Sequence, residues 1–245
     1  MIKVDIQTEE LDYHNEEAYK ALRTNLKFCG SDKKVIGITS CQPSEGKSTV
    51  SLNLAKSLAE SGEKVVLVEC DLRKPVLIGR TNVSGGDIKG LTYFLSQQAS
   101  LNDVICSTNI DNLQIIYAGP VAPNPAELLG SKYYKAGIEA LRKVFDYIII
   151  DTPPLGAVID SAIISQNCDG MAIVLESGKD SYRFVRDVKE QLDKAGVPIL
   201  GVILNKVEVS RNSYYGRYGK YGKYGKYGTY GTYGRYGYNS KKEEQ

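Results

Sequence analysis

At 245 residues the chain has room for one sizeable domain but not for two comfortable ones, and its 42% hydrophobic and 24% charged residues suit a globular protein. Five scattered cysteines without a CxxC pair, and a single histidine, His14, exclude a disulfide framework, a zinc site and Ser-His-Asp or metal-histidine chemistry. The net charge of +2 is uneven: from Arg211 onward eight Lys/Arg meet only Glu243 and Glu244, so a mildly acidic body carries a basic tail. No apolar run approaches bilayer length and the N-terminus, MIKVDIQTEE, is acidic rather than signal-like. The expected location is therefore the cytoplasm, unless a partner carries the chain to a membrane.

In chain order, residues 1–30 read as a helical lead-in, with EEAYKALRTNL placing Ala18, Leu22 and Leu26 on one face. An apolar strand, Val35–Thr39, precedes a helix over Lys47–Ser61 that Gly62 closes. The strand Val65–Glu69 follows, then an irregular stretch Thr81–Ser100 with a short helix at Leu91–Gln97. Beyond it come the strand Leu113–Tyr117, an interrupted helix over Pro125–Val144, and the strands Tyr147–Asp151 and Met171–Leu175. A helix Tyr182–Ala195, closed by Gly196, leads to a last strand, Ile199–Leu204. Continuous apolar strands alternating with helices predict a doubly wound, mostly parallel α/β sheet flanked by helices, spanning 31–210.

Residues 211–245 break the pattern. Tyr215, Tyr218, Tyr221, Tyr224, Tyr227, Tyr230, Tyr233 and Tyr236 each precede a glycine at a period of three, and no aliphatic residue accompanies them. Such a segment cannot bury a core and lacks the proline of collagen, so it is expected to be disordered.

The sharpest chemical signal is Cys41-Gln-Pro-Ser-Glu-Gly-Lys-Ser48, set between a strand and a helix. It is the G-x-x-x-x-G-K-[ST] phosphate loop of a P-loop NTPase with its first glycine replaced by Cys41. The loop residues Pro43, Ser44, Glu45, Gly46, Lys47, Ser48 and Thr49 suit the phosphates of ATP, with every one except Pro43 offering a backbone N–H at a helix N-terminus. Lys47 supplies a cation to the β/γ-phosphates and Ser48 a ligand to Mg2+. Glu69, Asp71 and Asp151 sit at strand carboxyl ends, where an open parallel sheet binds ligands, and can converge on the same metal. Each carboxylate alone would be read as a loop cap; together with the lysine loop they favour the metal.

These residues resemble the bacterial tyrosine kinases of the capsule and exopolysaccharide type (BY-kinases) over most of Glu16–Lys206 and the tail. CQPSEGKST is similar to their Walker A loop, VLVECDLRKP to Walker A′ and YIIIDTPP to Walker B, with EAYKALRTNL, GPVAPNPAELL and the tyrosine-rich terminus as further likenesses. There are departures: Glu69 stands where the family usually has Asp, and Lys20 replaces an Arg in the oligomerisation pattern Glu17-x-x-Lys20-x-x-Arg23. The wider partitioning ATPases carry a lysine at the place of Gln42.

The resemblance implies transfer of the γ-phosphoryl group of ATP to tyrosines, chiefly those of the tail, with consequences for polysaccharide synthesis or export. It implies Lys47 at the phosphates, Ser48, Asp151 and Glu69 at Mg2+, and Asp71 or Glu69 at the incoming tyrosine. Arg73 would organise the carboxylates and Asn205 meet the adenine edge. Partners implied are further copies of the chain in a homo-oligomer or ring, a separate transmembrane activator that recruits it to the inner face of the membrane, and a tyrosine phosphatase. Two rivals are a partitioning or cell-division ATPase, and a tail that binds nucleic acid through its basic and aromatic residues. Nucleic acid is not the expected partner.

Overall fold

The structure, a computed structural model of the chain, describes residues 2–84 and 88–207. The tail 211–245, with its eight expected acceptor tyrosines, lies outside the described residues.

Eight strands form one sheet: β1 (Ile2–Lys3), β2 (Val35–Ser40), β3 (Val65–Glu69), β4 (Cys106–Ser107), β5 (Leu113–Ile116), β6 (Tyr147–Asp151), β7 (Gly170–Glu176) and β8 (Ile199–Asn205). Their order is β1-β4-β5-β3-β6-β2-β7-β8, parallel throughout except for the antiparallel pair β4–β5. The helices are α1 (Tyr13–Phe28), α2 (Lys47–Glu60), α3 (Leu77–Thr81), α4 (Leu91–Leu95), α5 (Leu101–Val104), α6 (Pro125–Leu129), α7 (Lys132–Arg142), α8 (Asp160–Ser165) and α9 (Tyr182–Ala195).

The apolar runs of the inner strands follow from two covered faces, whereas the edge strand β8 leaves Val202 and Leu204 exposed. In β6, Ile149 joins Ile36, Ile38, Val65 and Leu67 in a core with Leu54 and Leu58 of α2, while Ile148 and Ile150 face a second core with Tyr134, Ile138 and Leu141 of α7. On β7, Met171 and Ile173 meet Val188 and Leu192 of α9. Each fully buried aliphatic side chain of this kind contributes about 1.5–3 kcal/mol. The chain passes from β2 through α2 to β3 and leaves a place between them that β6 later fills. Strand order reverses there, and the carboxyl ends open a crevice.

Two expectations need correction. Residues 1–30 are not helical throughout: Ile2–Lys3 pairs with β4, and Val4 and Ile6, at 1% and 4% exposure, insert into the core before α1 begins. Their spacing of two is the strand period, and the lead-in belongs to the compact unit that runs to Val207. On α1 the packed residues are Tyr19, Leu22 and Leu26, while Ala18 is exposed. The helix over Pro125–Val144 is interrupted as expected: it breaks at Gly130, and Ser131 caps α7 by accepting from the Tyr134 N–H at 3.3 Å. Among the described residues no helix is long and apolar enough to cross a membrane.

Candidate active site

The phosphate loop turns without its first glycine because the left-handed bends lie elsewhere, at Ser44 (φ 68°) and Gly46 (φ 93°). Cys41 instead points its side chain into the core beside Leu155 and Met171, where burial pushes its thiol up to about 12. Gly46 also permits a close approach: a Cβ there would lie 2.1 Å from the Asn205 amide nitrogen. No side chain caps the first turn of α2, so its leading N–H groups face a ligand-ready end of the helix dipole. Pro43 and Ser44 are exposed on the loop, and the Thr49 hydroxyl accepts from Arg80 Nη1 at 2.8 Å.

Lys47 lies 3.4 Å from Asp71 Oδ2, and Asp71 Oδ1 accepts from the Lys74 N–H at 3.0 Å. Asp151 is fully buried at the end of β6 and accepts from the Ser51 hydroxyl at 3.4 Å through Oδ1. Burial raises its pKa to about 6; the nearby Lys47 ammonium and Ser48 hydroxyl oppose the shift, while Glu69 and Asp71 add to it. Asp151 Oδ2 is buried and has no hydrogen-bond partner. An orphaned carboxylate oxygen next to a hydroxyl, in a cluster short of positive charge, fits a divalent cation held by Ser48 and Asp151. Among the described residues no three His, Cys, Asp or Glu gather as a metal cage.

Glu69 is not part of this cluster's working face. Its Oε1 accepts from the Val76 and Leu77 N–H groups at 2.7 and 2.8 Å, and its Oε2 from the Ala118 N–H at 3.0 Å. Both oxygens accept from backbone donors, which gives Glu69 a structural role in this arrangement, and Asp71 is the carboxylate beside Lys47. Burial still raises the Glu69 pKa, against the pull of those amides.

Arg73 does not organise the strand-end carboxylates. It grips the buried Asp160 at the start of α8 with two bonds, Nε to Oδ2 at 2.7 Å and Nη2 to Oδ1 at 3.0 Å. Asn205 donates to the Glu45 carbonyl at 2.9 Å and so braces the phosphate loop. In the oligomerisation pattern, Glu17 and Lys20 pair at 2.8 Å on the exposed face of α1. Arg23 instead donates to the Ser57 carbonyl of α2 at 2.6 Å within its own chain. Sequence reasoning missed Asp160 and Asp180, the latter accepting from the Gln42 side chain at 2.7 Å. Arg73 and Asp160 are 87 positions apart and no local pattern links them.

Comparisons with known proteins bear on this geometry. Residues 33–194 match the AAA domain family. The tyrosine-protein kinase CpsD of Streptococcus pneumoniae serotype 4 is 47% identical over 216 residues, covering 87% of this chain and 95% of the relative. The kinase domain of the Escherichia coli tyrosine kinase ETK aligns with a TM-score of 0.74 at 32% identity, over 81% of this chain and 79% of that one. The septum site-determining protein MinD of Pyrococcus horikoshii OT3, solved with Mg-ADP, shares the fold at a TM-score of 0.62 and 29% identity, over 72% of each chain. The fold is that of nucleotide-binding P-loop proteins, and the greater identity lies with the kinases rather than the cell-division ATPase. The chain belongs to the bacterial tyrosine-protein kinases.

Proposed function

We propose that this kinase transfers the γ-phosphoryl group of ATP to the tyrosines of its own repeat, Tyr215 to Tyr236, in the control of capsular or exopolysaccharide synthesis. The observation that carries the reading is the convergence of Lys47, Asp71, Ser48 and the orphaned Asp151 at the strand ends of a chain that also bears a tyrosine repeat. Lys47 and the loop N–H groups hold the phosphates in line. Ser48 and Asp151 hold Mg2+, which when bound neutralises charge on the phosphate oxygens. Asp71 stands beside Lys47 and takes the proton of the attacking tyrosine, whose free pKa of about 10 otherwise keeps it a poor nucleophile. The new O–P bond forms as the bond from the γ-phosphorus to the ADP oxygen breaks.

Residues 31–210 serve as the catalytic domain and 211–245 as the acceptor segment. Self-association runs through the exposed Glu17 and Lys20 face of α1, since Arg23 is engaged at Ser57. A separate transmembrane activator brings the kinase to the inner face of the membrane and a tyrosine phosphatase resets it; both partners rest on the family resemblance.

The test is to incubate the purified protein with Mg-ATP and map phosphotyrosine by mass spectrometry. The expected result is modification across Tyr215–Tyr236, with most of it lost when residues after Arg211 are removed and nucleotide binding kept. Phosphorylation confined to the body would overturn the acceptor assignment.

A further inference from the structure

Two carboxyl groups meet at the phosphate loop and belong neither to the phosphate cations nor to the candidate metal ligands. Glu45, a loop residue with no solvent exposure, accepts from the Gln42 N–H at 2.7 Å through Oε2, while its Oε1 is buried without a donor. Asp180, between β7 and α9, accepts from the Gln42 side-chain amide at 2.7 Å through Oδ1, while its Oδ2 is likewise buried without a donor. The two groups stand within hydrogen-bonding reach of each other. Two carboxylates can only accept, so neither orphaned oxygen is satisfied unless one proton is held between them.

We propose that Asp180 is a positioning residue for the transfer reaction: its hydrogen bond with the Glu45 carboxyl and its hold on Gln42 keep the loop from Gln42 to Gly46 in the shape that receives nucleotide phosphates. From the other side, Asn205 fixes the Glu45 carbonyl at 2.9 Å, so the residue is clamped at both backbone and side chain. Burial first, and then the bond to Asp180, pushes Glu45 up to about 7. The charged neighbours do not replace the proton. Lys179 and Lys206 are both engaged with Glu176 at 3.0 Å, and Lys206 also donates to the Ser44 carbonyl at 2.8 Å. The Cys41 thiol, raised to about 12 by burial, stays neutral beside them. When the shared proton leaves, two adjacent anions repel each other inside an anion-binding loop, and they also repel the incoming phosphates. Nucleotide affinity therefore falls as pH rises through about 7.

This inference rests on the reading of Gln42–Ser48 as a phosphate site, and the experiment separates the two. The full-length protein is titrated with Mg-ADP by calorimetry at pH values of about 6, 7 and 8, a range that brackets a group titrating near neutrality, alongside Asp180→Asn, Asp180→Ala and Glu45→Gln. Comparing variant with wild type at each pH cancels the ligand's own ionisation. Wild-type affinity falls up to about tenfold across that range, the limit for one proton titrating at its centre. Asp180→Asn donates to Glu45 without a borrowed proton, so this fall flattens. Glu45→Gln, which removes the titrating carboxyl, is flat as well. Asp180→Ala raises KM for ATP at every pH and leaves kcat at saturating ATP unchanged. Wild-type pH profiles in both Asp180→Asn and Glu45→Gln, or an Asp180→Ala effect confined to kcat, would overturn the inference. Wild type that binds no Mg-ADP at any pH would overturn the phosphate-site reading and the inference with it.

Discussion

Two aspartates at opposite ends of the sheet face opposite demands. Asp169, just before β7 at the amino ends of the strands, has both oxygens occupied. Arg142 grips it at 2.8 and 2.9 Å, and the Lys34 and Val35 N–H groups each donate at 2.8 Å. Burial pushes its carboxyl up, but the guanidinium and the two amides outweigh it and hold the group below the usual carboxylate range. Asp151, at the carboxyl end of β6, is more deeply buried, keeps one oxygen without a partner and is raised to about 6. The satisfied carboxylate pins α7 to two strands; the unsatisfied one leaves an oxygen without a partner at the strand ends. A buried charge without its partner costs stability, and a chain tolerates that where the missing partner arrives with the substrate.

The largest expected effect is on the ligand-ready end. Lys47→Met should lower phosphotransfer by at least about a hundredfold, the scale of losing one charge-stabilising donor, with thermal stability nearly unchanged; anti-phosphotyrosine blots and melts decide it. Wild-type phosphorylation in this variant would remove Lys47 from the site. Asp151→Asn should also abolish activity, with partial rescue by added Mg2+, yet it should not destabilise the fold, because it relieves a buried anion. A large loss of stability would mean that Asp151 is as structural as Asp169.

Asp169→Asn should reverse that pattern, costing about 1–3 kcal/mol, kept modest by the pair's partial exposure, while kinase activity per folded molecule persists. Glu69→Gln should behave similarly, at about 1–3 kcal/mol, because an amide nitrogen in place of one oxygen would face at least one backbone donor. Strong loss of activity with unchanged stability would return Glu69 to the metal.

The smallest effect is in pH. A carboxyl raised to about 6 when folded takes up its proton before the unfolded chain does, so Asp151 adds stability as pH falls from about 6 toward 4. Asp169, lowered when folded, contributes stability above about 4 and loses it as pH falls through its folded pKa. Differences between wild type and each Asn variant in melts across this range should therefore slope in opposite directions; parallel slopes would erase the contrast.

The six longer strands and the larger helices were legible in the sequence because their mainly apolar runs stand out between polar and glycine-containing segments, and because glycine closes helices at recognisable places. The phosphate loop was legible for a similar reason: its residues are adjacent in the chain, so motif and site coincide. β1 and β4, of two residues each, carry too little pattern to stand out. The strand-like spacing of Val4 and Ile6 was present but masked by the helix that follows.

The division of labour among the acidic residues was not legible. Glu69, Asp71 and Asp151 look alike as strand-end carboxylates, and only tertiary structure decides which oxygens meet backbone amides and which meet nothing. Arg73 finds Asp160 and Gln42 finds Asp180 across 87 and 138 positions, so these partnerships exist only once the sheet is assembled. Sequence determined the covalent order of the phosphate loop and the two-sided burial that builds a parallel sheet, since both are local. The fate of each buried charge depends on donors brought by distant segments, and the folded structure alone decided it.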